Sequence, residues 1–287
     1  MGFYEEIASN KRRTYFLIFF FFVFVTALGL MIGVLYGSSY FGLILALVIG
    51  VFYFLFSYYG GANAILSMTG AQGATKPKYT HLINTVEGLA IAAGLPNMPK
   101  VYVIDDSALN AFATGRDPEH AAVTVTTGLL ERLNKLELEG VLAHEISHIK
   151  NFDIRVMLLA SVMVGLTVLL SDFLLRSFLF GGHNRNQEKN SLTVVFIVAG
   201  LVLAILSPII GELMKLAISR KREFLADASG AMLTRYPQGL ADALRKIKDD
   251  PDPLVDKANR ATAHLFISTP FRKTKGTFTN LFSTHPD

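Results

Sequence analysis

Two histidines four residues apart, with a glutamate next to the first, give the segment His144-Glu145-Ile146-Ser147-His148 the form H-E-x-x-H. On a helix this spacing stacks both imidazoles on one face, within reach of a single zinc ion, and sets Glu145 beside the open coordination position. Zinc lowers the pKa of a coordinated water from about 16 to about 7, so an adjacent carboxylate can finish the deprotonation near neutral pH. The expected chemistry is amide hydrolysis, with His144 and His148 as ligands of one zinc per chain and Glu145 as the base.

A catalytic zinc ordinarily takes a third protein ligand. The candidate is Glu223 in Arg222-Glu223-Phe224-Leu225-Ala226-Asp227. The H-E-x-x-H segment ends just before one long apolar run, and Glu223 follows just after the next, so a single membrane hairpin would return both to the same face. Asp227, four residues after Glu223, shares its helical face and suits an acceptor for the N–H of a ligand histidine. The alternative is a solvated helix in which Glu223 and Asp227 accompany Arg220 and Lys221.

The elements that must position these groups follow from composition. Of 287 residues, 51% are hydrophobic, 22 are Phe, and 17% are charged, against about 25% charged in soluble domains. Much of the chain is expected to face lipid. With no Cys, disulfides, zinc–thiolate sites and a thiol nucleophile are excluded. The net charge of +4 comes without a nucleic-acid-binding motif, so nucleic acid is not an expected partner. There is no G-x-S-x-G elbow, and residues 70–76 fail the P-loop spacing.

Four apolar runs, 15–36, 41–59, 156–180 and 192–213, approach the roughly 20 residues that cross a bilayer as a helix. The first is longer than a signal-peptide core, which favours an anchor. Asp172 and Arg176 interrupt the third and can pair four apart on one helix face. Lys11, Arg12 and Arg13, then Lys76 and Lys78, then Lys215, Arg220, Lys221 and Arg222 all fall on one side of this topology. Short basic loops stay in the cytoplasm. The expected location is therefore the cytoplasmic (inner) membrane, multi-pass, with the active site facing the cytoplasm. The expected divisions are 1–60, an N-terminal transmembrane hairpin; 61–153, a cytoplasmic protease domain; 154–213, a second hairpin; and 214–287, a cytoplasmic helical part carrying Glu223.

In the soluble segments, residues 79–93 place Leu82, Ile83, Val86, Leu89 and Ala90 on one helical face before Gly94. Residues 100–105 and 121–127 are β-branched and bounded by turn formers, with 110–114 a short strand between them. Residues 135–151 return to helical spacing after Asn134, a candidate N-cap. The fold class is thus a membrane α-helical protein with a cytoplasmic α+β domain. Residues 249–253 mark a loop between cytoplasmic helices.

Taken together the chain resembles the HtpX-type membrane metalloproteases, relatives of the CAAX-prenyl proteases. The resemblance rests on the N-terminal apolar pair, residues 110–115 (NAFATG), 144–148 with Asp153 following, 219–224 (SRKREF) with Ala226-Asp227, and 283–286 (STHP). It implies a gluzincin-type fold with zinc held by two His and a Glu. It also implies cleavage of damaged or misfolded membrane proteins, or of unfolded polypeptides, at the bilayer's cytoplasmic face. By the same resemblance Asn110 contacts substrate or the developing oxyanion, although an Asn before a strand also simply closes turns. His285 is implied to donate to the tetrahedral intermediate. The family continues as His-Pro-Pro where this chain reads His285-Pro286-Asp287. Two other classes are compatible with parts of the sequence: a catalytically silent zinc-binding membrane scaffold, against which Glu145 argues, and a transporter, supported only by the apolar runs and the Asp172–Arg176 pair. His81, His120, His183 and His264 lack ligand spacing.

Overall fold

The structure is a computed structural model and describes residues 3–35, 37–161, 163, 165, 200 and 220–250. Most of the third and fourth apolar runs, the Asp172–Arg176 pair and His285 lie outside the described residues.

Two long helices open the chain, α1 (Phe3–Leu35) and α2 (Ser39–Met68). At 1.5 Å per residue each is about 45–50 Å long, well beyond the roughly 30 Å of a hydrocarbon core. Ala8–Leu30 and Ser39–Met68 are long and apolar enough to cross a membrane. The hairpin reverses at Gly37, φ 75°, where Gly37 N–H and Ser38 N–H donate to Val34 and Gly33 carbonyls. That left-handed residue is what lets α1 stop so abruptly. The two helices then approach through glycines: a Cβ on Gly42 would stand 2.4 Å from the Gly29 carbonyl oxygen and 2.4 Å from Gly33 Cα. Gly29 and Gly33 form a G-x-x-x-G pair, the spacing that lets apolar helices touch backbone to backbone. Helix α2 continues to Met68, past the division expected at residue 60.

The soluble part follows the sequence pattern closely. Helix α3 (Thr80–Ala93) buries Leu82, Val86, Leu89 and Ala90, leaves Ile83 partly buried, and stops at Gly94, φ 70°. Strands β1 (Gln72–Gly73), β2 (Lys100–Ile104), β3 (Ala111–Gly115) and β4 (Ala121–Thr126) form one sheet in the order β1-β2-β4-β3. Strand β2 runs parallel to β4, and β1 and β3 pair antiparallel with β2 and β4. Neither the two-residue β1 nor the short helix α4 (Thr127–Arg132), capped by the Thr126 hydroxyl, has a signal in the residue pattern.

Strands β3 and β4 are buried along their whole length because both sheet faces are covered. Ala111, Ala113, Val123 and Val125 belong to the core with α3 and α5 (Lys135–Lys150), while Phe112 packs with Ile65 of α2 and with Met157 and Leu158. Helix α5 therefore sits inside the domain, against β3, α3, α6 (Arg220–Thr234) and α7 (Pro237–Asp249). Its start is fixed by a reciprocal cap: Glu137 N–H donates to Asn134 Oδ1 at 3.0 Å, and Asn134 N–H donates to Glu137 Oε2 at 2.8 Å. A cap of this type is worth about 1 kcal/mol and sets which residues face the core. Leu136 is the exception among the apolar positions, lying exposed outside the packed face.

Candidate metal centre

The middle of α5 is polar in a place where polar groups are costly. His144, Glu145, Ser147 and His148 are all buried. Uncompensated, such groups would destabilise the domain by several kcal/mol, so their partners decide what the site is.

Helix α6 supplies the first of them. It crosses α5 at Gly230, where a Cβ would stand only 3.1 Å from His144 N, and this close approach brings Glu223 over the two imidazoles. Glu223 is 2% exposed, which excludes the solvated helix as its setting. His144, His148 and Glu223 present ligand atoms within 4.8 Å of one another, and they are the group of this kind found among the described residues. The separations are 3.1 Å between the two Nε2 atoms, 3.6 Å from His144 Nε2 to Glu223 Oε2, and 3.8 Å from His148 Nε2 to the same oxygen. Three corners of a tetrahedron around zinc, with bonds of about 2.05 Å, stand about 3.3 Å apart. The observed edges bracket that value, and the donor set of two imidazoles and one carboxylate is one that zinc takes. The residues fit the metal.

The opposite ring nitrogens are held by carboxylates. Asp227 Oδ1 lies 3.0 Å from His144 Nδ1, and Asp153 Oδ2 lies 2.9 Å from His148 Nδ1. With Nδ1 carrying the proton toward an acid, each Nε2 lone pair is directed to the same point. The electrostatics agree that a cation belongs there. Burial alone would lower the His144 imidazole, yet Asp227 and Glu223 outweigh it and hold it at about 10. His148 is likewise raised, burial being overcome by Glu223 and Asp153. Glu145 is pushed up by burial and drawn back by both imidazoles and by a backbone N–H from Ala113. That last contact places the Glu145 carboxylate between α5 and strand β3.

Asn110, the residue before β3, is buried, and its Oδ1 accepts from Ala111 N–H at 3.0 Å while its own N–H donates to the Thr126 hydroxyl at 3.0 Å. It is three residues from the Ala113 amide that meets Glu145. Two residues at the centre carry no local sequence signal of their place in it. Asp153 was noted only within the resemblance; it follows Phe152, which takes the left-handed conformation (φ 62°) and turns the chain under His148. Arg222 is 1% exposed, with Nη1 3.7 Å from Asp153 Oδ1; its basic neighbours in sequence disguised it as a surface residue. Gly230, a glycine inside a helix, was the visible sign that two backbones meet.

The chain is similar to several known proteins. The profile of peptidase family M48 matches residues 77–287. A protein described as "Protease HtpX homolog" from Dictyoglomus thermophilum is 48% identical over 284 residues, 99% of this chain and 91% of its own. Another of the same description, from Streptococcus uberis, is 42% identical over 287 residues, 99% of this chain and 95% of its own. The crystal structure of S. mikatae Ste24p aligns with 98% of this chain and 64% of its own, at 19% identity and a TM-score of 0.48.

Proposed function

The chain belongs to peptidase family M48, and from that premise we propose that it is a membrane-anchored zinc endopeptidase that hydrolyses peptide bonds at a centre held by His144, His148 and Glu223. The observation that carries this reading is the convergence of the two Nε2 atoms and the Glu223 carboxylate within 4.8 Å, fully buried, with Glu145 beside them. Zinc bound there supplies a Lewis acid that polarises a scissile carbonyl and acidifies water.

The chain's own residues do the rest. Glu145, held between the imidazoles and the Ala113 N–H, takes a proton from the attacking water and returns it to the leaving amine. Asp227 and Asp153 hold the two imidazoles in the tautomer and orientation that turn both Nε2 atoms toward the metal position. Asn110, at the head of β3, is assigned to substrate or to the developing oxyanion, and His285 to donation onto that oxyanion. Substrates are damaged or misfolded membrane proteins and other unfolded polypeptides. The α1–α2 hairpin and the apolar runs 156–180 and 192–213 span the cytoplasmic membrane, and the basic clusters around Lys11, Lys76 and Arg220 support a cytoplasmic active site.

The test is cleavage of an unfolded membrane protein by the full chain, purified in detergent. Proteolysis should require one zinc per chain, cease with a chelator and return on adding zinc. A zinc-loaded protein that cleaves nothing would instead support a silent scaffold.

A further inference from the structure

The first helix carries a polar residue where none is needed to cross a membrane. Asn10, near the start of the apolar stretch of α1, is 1% exposed. Its Nδ2 donates to Asp153 Oδ1 at 2.7 Å and to the Asn151 carbonyl at 2.9 Å. The Asn10 carbonyl in turn accepts from the Thr14 hydroxyl at 2.9 Å. Its two acceptors flank Phe152, the non-glycine residue at φ 62°, a conformation that needs outside support. Lys11 and Arg155 add to that support, with their cations 4.9 and 5.0 Å from the Phe152 ring centroid.

Asp153 is 0% exposed and divides its oxygens, Oδ2 to His148 Nδ1 and Oδ1 to Asn10, with Arg222 at 3.7 Å. A buried carboxylate whose second oxygen loses a hydrogen bond at 2.7 Å has reason to rotate, and rotation would take the first oxygen away from His148. We infer that Asn10 is a positioning residue for the metal centre: through its hydrogen bond to Asp153 it fixes the His148 ring, so that zinc affinity depends on this one donor from the first helix and not on the apolar packing of that helix. This rests on the proposed metal centre and extends it to a residue 134 positions before the first histidine ligand (144 − 10).

The experiment measures zinc affinity by chelator competition on the full chain in detergent, beside the thermal midpoint. The variants are Asn10→Ala, Asn10→Leu and Leu17→Ala. Leu17 packs on Val156, Leu159 and Ala160, so its truncation loosens α1 against the same segment without touching a hydrogen bond. Asn10→Leu keeps the bulk and removes the donor, and it carries the test if the alanine variant does not fold. Both Asn10 variants should bind zinc about tenfold more weakly, the lower end of what outer-shell partners contribute, while Leu17→Ala should lose thermal stability and stay within about twofold in affinity. The inference is overturned if the Asn10 variants bind zinc as the wild type does, or if Leu17→Ala weakens binding equally. A wild type that binds no zinc would overturn the metal centre itself, a separate and visible failure.

Discussion

The hairpin of α1 and α2 and the helix α5 solve opposite problems. Along the hairpin the large apolar groups point outward, with Phe52 at 71% and Phe56 at 72% exposure, while glycines line the contact between the helices. In α5 the outside is neighbouring protein and the centre is charged, with His144, Glu145 and His148 enclosed. Lipid offers apolar groups no reason to hide, so close backbone approach decides how the hairpin packs. Inside the domain a charge has no water, so every ionisable group must meet a partner. Glycine serves both regions, but for different ends: at Gly42 it joins two apolar helices, and at Gly230 it brings Glu223 to the two imidazoles.

The sharpest way to break this contrast is at the charges. Glu145→Gln should keep zinc, since all three ligands remain, while cleavage falls by about 10²–10⁴-fold. Glu223→Ala should lose zinc and activity together. Metal analysis after desalting and cleavage rates on one preparation distinguish the two, and a Glu145→Gln protein as active as wild type would end the assignment of the base.

The glycines come next in size. Gly42→Ala forces a Cβ into backbone atoms 2.4 Å away and should cost about 1–3 kcal/mol of hairpin stability, read as a lower midpoint in detergent with zinc affinity unchanged. Gly230→Ala meets His144 N at 3.1 Å and should do the reverse, weakening zinc more than the midpoint. Equal effects of both on both readings would erase the distinction between anchor and centre.

The smallest change is expected at the surface. Arg245 pairs with Asp242 on α7, and both side chains are open to water. Arg245→Ala should shift stability by no more than about 0.5 kcal/mol and leave zinc binding and cleavage alone; a larger effect would mean that charge pairing matters outside the core as well.

Much of this was legible in the chain itself. The 3.6-residue period of 79–93, the Asn134 cap and the β-branched runs at 100–105 and 121–127 gave their elements within a residue or two. These are local signals, written by neighbours in sequence. H-E-x-x-H is local too, since two residues four apart on a helix share a face wherever the helix lies. Even Glu223 could be proposed, because counting membrane crossings is a form of long-range reasoning that hydropathy permits.

Tertiary structure decided what no period encodes. That Glu223 is enclosed with the imidazoles depends on Gly230 admitting α6 against α5. Asp153 meets His148 only because Phe152 turns the chain left-handed. Arg222 looked like one more basic surface residue until the fold closed over it. The contact of Asn10 with Asp153 joins positions 143 apart, and a side chain's partner at that distance is set by how packed elements approach, which a one-dimensional pattern does not contain.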